Sequence, residues 1–342
     1  MSAELPTTAL EAPIASSGEI TSLPILILNV HENCNCRCRM CDIWKRPAGA
    51  ELSLEKVVTY QSSIRSLNVH QVVLTGGEPL LHSRFRELCE LLKQCDVRIT
   101  LLSTGLLLQK RADTIVDYVD EIIVSLDGPE ETHNTIRRIP RAYQLMRDGI
   151  VHMRKLHPSL PIHARSTIQS ANFRHLRQTV AAARDLGCDS ISFLAVDTTS
   201  QAFNRDLVWP TSHQIEIGLA PQEVSHLEEE IELLIEQYAA EIRSRFIVEG
   251  PEKLRRIARY FRQRLGELPQ CSPSCNAPWV SAVVEVDGSV RPCFFHRKVG
   301  DAMTHPLREA INTAAAKRFR QTLDIESNPT CQNCVCSLNY RM

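Results

Sequence analysis

From about Pro24 to Ala195 the chain alternates short apolar runs with segments of helical period. The runs are Ile25–Val30, Gln71–Leu74, Val97–Leu102, Glu121–Val124, Ile162–Thr167 and Ser190–Leu194, read as β-rich. Between them, Phe85, Leu88, Cys89 and Leu92 fall at i, i+3, i+4 and i+7 behind a possible cap at Ser83. Leu176, Val180 and Ala183 form another stripe that stops at Gly187, placed as a C′ glycine. Strand followed by helix, six times over, predicts a parallel sheet with right-handed crossovers. Periodicity does not decide whether that sheet closes into a partial barrel or stays open.

Beyond Val196 the pattern changes. Thr198–Gly218 reads as a loop-rich bridge, and Val224, Leu227, Ile231, Leu234 and Tyr238 mark a long amphipathic helix. A second helix is expected from Pro251, an N1 residue, to Leu265 before Gly266. Arg255, Arg256, Arg259, Arg262 and Arg264 lie on its polar face, expected as a solvated basic face, with docking of an acidic partner as the alternative. Asp287-Gly288 between alternating runs signals a hairpin. At roughly 150 residues per domain the 342-residue chain holds about two. The divisions expected are a flexible tail over 1–22, an α/β core over 23–197, a loop and helical linker over 198–266, and a small α+β cysteine-rich domain over 267–342.

Charge removes several classes of function. Lys and Arg number 39 against 40 Asp and Glu, which speaks against a nucleic-acid platform. No run approaches the ~18 apolar residues of a membrane span, and the first residues lack the basic start and apolar core of a secretory signal. A cytoplasmic location follows as the expectation. The thirteen cysteines are the outlier: odd in number, clustered and without an export signal, they point to metal or redox chemistry rather than disulfides.

Cys34-Asn-Cys-Arg-Cys38-Arg-Met-Cys41 follows the first strand immediately. Three thiolates at C-x3-C-x2-C spacing can wrap one inorganic centre, and three on a four-iron cluster leave one iron open for chemistry. A zinc knuckle completed by His31 or Cys36, or a cluster used only for electron transfer, stays open on spacing alone. Arg37 and Arg39 are expected in solvent, although cations near a cluster raise its potential.

This run, followed by Thr75-Gly76-Gly77-Glu78-Pro79 after the second strand, resembles the radical S-adenosylmethionine superfamily. Both segments fall at C-terminal strand ends, where parallel α/β folds place active sites. The resemblance implies a partial (β/α)6 TIM-like barrel in which Cys34, Cys38 and Cys41 hold a [4Fe-4S] cluster and S-adenosylmethionine chelates the open iron. It places Gly76, Gly77, Glu78 and Pro79 at the methionyl amino group, the glycines admitting close backbone approach. Leu101-Leu102-Ser103-Thr104-Gly105 and Val124-Ser125-Leu126-Asp127-Gly128-Pro129 end the third and fourth strands. By the same resemblance Ser103 and Ser125 contact the nucleoside or methionyl part, Arg165 is a candidate for the carboxylate, and the backbone of Met40 faces the adenine.

The C-terminal segment offers Cys271, Cys275, Cys293, Cys331, Cys334 and Cys336, with the hairpin between Cys275 and Cys293. C-x12-G-x4-C, a gap and then C-x2-C resembles the SPASM and twitch extensions of that superfamily. The implied auxiliary [4Fe-4S] cluster takes Cys275, Cys293, Cys331 and Cys334, with Cys271 or Cys336 as possible replacements and a zinc site as the alternative. One auxiliary cluster is expected, because the later cysteines of a full SPASM pattern are missing. Cys36, Cys89, Cys95 and Cys188 remain, read by default as small buried hydrophobes.

The activity implied is reductive cleavage of S-adenosylmethionine to a 5′-deoxyadenosyl radical. The radical takes hydrogen from a peptide or small-molecule substrate, with net oxidation assisted by the auxiliary cluster. A low-potential donor such as a flavodoxin or ferredoxin is the expected partner, with neither nucleic acid nor membrane. A first strand near Ile25 leaves few residues for an N-terminal peptide-recognition domain, which lowers a peptide substrate without excluding it. Asp197, Arg165 and His296 are potential acid–base groups without a motif to assign them, so the catalytic residues stay unknown. The reading from another class is a non-catalytic zinc or iron–sulfur protein for electron transfer or assembly.

Overall fold

The computed structural model describes residues 17–45, 49–202 and 207–340. The part of the expected tail over 1–16 lies outside them, and so do 203–206 of the expected bridge. In chain order the first half runs β1 (Ile25–His31), α1 (Leu54–Ser66), β2 (Gln71–Gly76), α2 (Phe85–Lys93), β3 (Arg98–Ser103) and α3 (Ala112–Tyr118). It continues β4 (Glu121–Ser125), α4 (Glu130–Arg137), α5 (Ala142–Leu156), β5 (Ile162–Ile168), α6 (Leu176–Asp185) and β6 (Ser190–Ala195). All six apolar runs are strands, paired parallel in the order β6-β5-β4-β3-β2-β1. Leu26 stands opposite Val72, Val72 opposite Ile99, Leu101 opposite Ile122 and Val124 opposite Ala164. Helices cover the outer face, where Leu26, Leu28 and Val30 are inaccessible to solvent, while the alternate residues Ile27 and Asn29 on the inner face are half-buried.

The helical stripes fall where the pattern puts them. Phe85, Leu88, Cys89 and Leu92 are fully buried on α2. Ser83, however, does not cap that helix: Arg84 is its N-cap, and Ser83 gives both its N–H and its hydroxyl to the Glu51 carboxylate. Gly187 ends α6 with φ +75°, while the Cys188 N–H donates to the Ala183 carbonyl at 3.0 Å. Cys89, Cys95 and Cys188 are buried, and burial pushes the Cys89 and Cys188 thiols up to about 12.

The second half holds α7 (Thr211–Ile217), α8 (Pro221–Gln237), α9 (Ala239–Arg243), α10 (Pro251–Arg264) and α11 (Ala277–Val280). Then come β7 (Ser281–Val284), β8 (Ser289–Arg291), β9 (Gly300–Asp301), α12 (Leu307–Ile311), α13 (Ala314–Thr322) and α14 (Pro329–Gln332). The bridge after Val196 thus contains a helix, α7. The arginine face of α10 is solvated at Arg255 and Arg259, as expected, but three of its arginines also have partners within the chain. Arg255 pairs with Glu232 at 2.7 Å and Arg262 with Glu228 at 2.8 Å, both acids on α8, and Arg264 donates to Asn333.

Both open edges of the six-stranded sheet are covered. The Asp287-Gly288 hairpin forms with Val284 opposite Val290, and its strand β7 also pairs parallel with β1, Leu26 opposite Ala282. The auxiliary segment therefore extends the barrel sheet. At the other edge the Ile191 N–H donates to the Phe246 carbonyl and the Val248 N–H to the Ile191 carbonyl. Gly18 and Ile20, at the end of the expected tail, are pinned beside α13: Arg320 donates to the Gly18 carbonyl at 2.6 Å, and Asn312 accepts from the Ile20 N–H at 2.8 Å.

Candidate active site

The loop after β1 carries the first cysteines. Its backbone is held from three sides. The Gly77 and Glu78 N–H groups donate to the His31 and Asn33 carbonyls at 2.7 and 2.8 Å. The Arg37 and Arg39 N–H groups donate to the Arg137 and Ile136 carbonyls, the end of α4 that has no helical partner. Trp44 Nε1 donates to the Cys38 carbonyl, and Trp209 Nε1 to Asp42. A Cβ on Gly77 would sit 2.0 Å from the Asn33 carbonyl oxygen, and one on Gly76 2.5 Å from that of His31. The glycines are thus required first by the cysteine loop lying against them.

The loop presents Cys34, Cys38 and Cys41 to one cavity of about 220 Å³. Met40, Gly76, Gly77, Ser103, Ser125 and Arg165 line the same cavity, from five different segments. Glu78 and Pro79 do not line it. Glu78 is fully buried, and its carboxylate accepts from the Thr104 N–H, the Thr104 and Ser103 hydroxyls and the Leu80 N–H at 2.6–3.2 Å. Burial pushes its carboxyl above the ordinary range, against those hydrogen bonds. Ser103 gives its proton to Glu78 and accepts from the Gly105 N–H at 3.0 Å. Arg165 Nε donates to Ser192 at 3.3 Å.

Neither spare ligand occupies the cavity wall. Cys36 is inaccessible to solvent; its thiol donates toward Cys34 and Cys38, and these contacts with burial push it far above the usual thiol range. The same contact, with the Arg137 charge, offsets burial and brings Cys38 down to about 7. His31 accepts the Asn33 N–H at Nδ1 and turns Nε2 toward Glu51, 3.9 Å away. It lines a second cavity instead.

Arg137, on α4, is the residue that sequence reasoning missed. It lines the same cavity as the three thiols, is buried, and donates from Nη1 to Cys38 Sγ at 3.5 Å and from Nε to Asp127 at 2.6 Å. Burial opposes its charge, yet Asp127 and the Cys38 and Cys36 sulfurs more than offset this and hold it protonated. Only its position twelve residues after Ser125 could have drawn attention to it. Arg37 is exposed, and Arg39 pairs with Glu216 at 3.2 Å.

At the second constellation, Cys275, Cys293, Cys331 and Cys334 lie near one another, and Cys336 bears on Cys334 as well. Burial pushes Cys293 up to about 12 and Cys331 up to about 11, and neighbouring thiols of the set add to both. Cys271 and Cys336 are exposed; Cys336 lines the second cavity. His296 is buried, with Nε2 3.4 Å from Cys331 Sγ and its ring edge-on to Phe319. Asp197 is buried at the cofactor cavity and accepts from the Thr199 and Ser200 N–H groups. Among the described residues no three His, Cys, Asp or Glu side chains converge as a single ion requires; a polynuclear cluster takes its thiolates on separate irons.

Three thiols on a loop at the C-terminal end of a partial parallel barrel, facing a cavity with glycine backbone, hydroxyls, two arginines and apolar walls, suit a three-cysteine cluster with a nucleotide-sized ligand. These features define a cluster-dependent barrel protein. The Radical SAM superfamily profile matches residues 28–196 and that of an iron–sulfur cluster-binding domain, SPASM, matches 275–335; the chain belongs to the radical SAM superfamily, with a SPASM domain. Its cofactors are the S-adenosylmethionine-binding [4Fe-4S] cluster, S-adenosylmethionine and auxiliary iron–sulfur. The chain is 27% identical over 205 residues to the AdoMet-dependent heme synthase of Methanosarcina barkeri, covering 57% of each. To the antilisterial bacteriocin subtilosin biosynthesis protein AlbA of Bacillus subtilis it is 23% identical over 311 residues, 84% of this chain and 61% of AlbA. It thus spans about 60% of the length of these relatives. Streptococcus suis SuiB bound to S-adenosylmethionine shares the fold with a TM-score of 0.66 at 12% identity, over 96% of this chain and 75% of SuiB.

Proposed function

We propose that this chain is a peptide-modifying radical enzyme that acts in the space between its two cluster sites. The observation that carries the reading is a second cavity of about 530 Å³ sharing Thr75, Gly76, Gly77, Arg165, Thr167 and Leu194 with the cofactor cavity. Its far wall is the auxiliary domain, through Glu285, Arg291, Phe294 and Phe295. Cys34, Cys38 and Cys41 would hold the cluster, which with S-adenosylmethionine would supply radical chemistry for hydrogen abstraction. The chain supplies position and dryness. Ser103, whose proton is held by Glu78, offers the cofactor an acceptor lone pair. Arg165 offers a cation to a carboxylate from the wall common to both cavities. Leu102, Ile123, Val124 and Val196 keep water from the nucleoside side.

Glu285 on the substrate side accepts from Asn29 on β1 and faces Arg291 at 3.2 Å, which locks hairpin to barrel and holds the cavity's shape. Cys275, Cys293, Cys331 and Cys334 would hold the auxiliary cluster, whose four-thiolate set favours electron transfer over substrate anchoring. The peptide substrate is supported by AlbA, a biosynthesis protein of the bacteriocin subtilosin, and by a SuiB structure bound to precursor peptide SuiA. A reducing compartment and a flavodoxin- or ferredoxin-type donor fit thirteen cysteines without a disulfide among those described. No described helix is long and apolar enough to cross a membrane.

The test is anaerobic reconstitution with iron and sulfide counting, then reduction with dithionite in the presence of S-adenosylmethionine. About eight irons, and 5′-deoxyadenosine that disappears when Cys34, Cys38 and Cys41 are changed to alanine, support the enzyme. Bound zinc and no cleavage would assign the chain to electron transfer or assembly instead.

A further inference from the structure

The cysteine loop carries two arginines of its own, and neither reaches its sulfurs. The cation that does comes from elsewhere. Arg137 ends α4, 99 residues after Cys38, and places Nη1 3.5 Å from Cys38 Sγ. Its Nε is held by Asp127, which is inaccessible to solvent, at 2.6 Å. Asp127 is itself fixed: Asn172 donates to its carbonyl at 2.9 Å and its N–H donates to buried His133. The carbonyls of Ile136 and Arg137 receive the loop's own N–H groups, so guanidinium and sulfur are registered by main chain as well as side chain.

We propose that Arg137 is a positioning residue that sets the reduction potential of the cluster held by Cys34, Cys38 and Cys41. The inference rests on the reading of those cysteines as cluster ligands. Cluster potentials follow net charge, burial and hydrogen bonds to sulfur, and Arg137 supplies a charge and a hydrogen bond at a buried sulfur. The reduced cluster carries one more electron, so a fixed cation beside a ligand sulfur favours reduction. Asp127 offsets the burial of that cation, aims it, and moderates its field. The balance is simple: one electron passes from an external low-potential reductant to the oxidised cluster, and no proton or ligand is exchanged.

The experiment is an EPR-monitored redox titration of reconstituted wild type, R137Q, R137K and D127N, with iron content and S-adenosylmethionine affinity measured on each. Wild type tests the underlying reading: without a reducible four-iron signal that changes on adding S-adenosylmethionine, the ligand assignment fails. Given that signal, R137Q is expected to keep its iron while its potential falls. The fall should lower the reduced-to-oxidised ratio at least tenfold at a fixed poise, 59 mV for one electron. R137K should stay closer to wild type, and D127N should move upward. Potentials unchanged in R137Q and D127N, or moved in the same direction in both, would overturn the proposal. An unchanged potential with weakened S-adenosylmethionine binding would assign Arg137 to the cofactor's carboxylate.

Discussion

Thr104 Oγ1 donates to Glu78 Oε2 at 2.6 Å and lies 3.0 Å from Asn35 Oδ1, so one hydroxyl joins the end of β2 to the loop holding Cys34. Glu78 is the hub of that contact. Its carboxylate organises the floor of the site without lining the cavity.

Glu78→Gln puts an amide where several donors converge, and a buried donor without an acceptor costs about 2 kcal/mol. The pH dependence has a definite sign. Burial raises the Glu78 carboxyl in the folded chain, so its contribution is fully present below the ordinary carboxylate range and lost as pH rises through the folded value. Urea midpoints of the metal-free protein should show Glu78→Gln less stable at low pH, with the gap narrowing as pH rises. A gap that widens would contradict the placement.

Gly77→Ala drives a methyl into the Asn33 carbonyl. The cysteine loop must lift, and bound iron is expected to fall from about eight to about four per chain, the auxiliary site being untouched. Gly250→Ala, where nothing lies within 4 Å, is the control and should leave the iron count unchanged.

Cys36→Ala tests the open corner of the first cluster. Cys36 is buried against Cys34 and Cys38 and does not line the cavity, so the variant should keep about eight irons and the EPR response to S-adenosylmethionine, while Cys34→Ala loses about four. Loss of the first cluster's signal in Cys36→Ala would close that corner.

At the auxiliary site, Cys271→Ala and Cys336→Ala are expected to leave iron unchanged, since both thiols are exposed and Cys336 bears on Cys334 alone of the four. Cys293→Ala or Cys331→Ala should lose the second cluster's absorbance and iron. Iron loss in Cys271→Ala would bring that residue into the ligand set.

Much of this was legible along the chain because it is local. Strand and helix periods, the Gly187 stop, the Asp287-Gly288 turn and the spacing of Cys34, Cys38 and Cys41 concern neighbours within one or two turns. The α10 arginines were half legible for the opposite reason. Their exposure follows from the helical face, but the acids they pair with, Glu228 and Glu232, come from a second helix. Ser83 misled similarly, since its competing acceptor, Glu51, comes from a loop 32 residues earlier.

By itself the sequence determined the repeating strand–helix unit, the cysteine spacing and the order of the strand-end segments, because backbone period and turn chemistry are short-range. Tertiary structure alone decided that β7 joins the barrel sheet beside β1, that Cys36 turns inward, that Glu78 is spent on Thr104 and Ser103, and that Arg137 meets Cys38. Each of these depends on which buried polar group or sheet edge finds a partner. That partner is set by packing across tens to hundreds of residues, not by spacing along the chain.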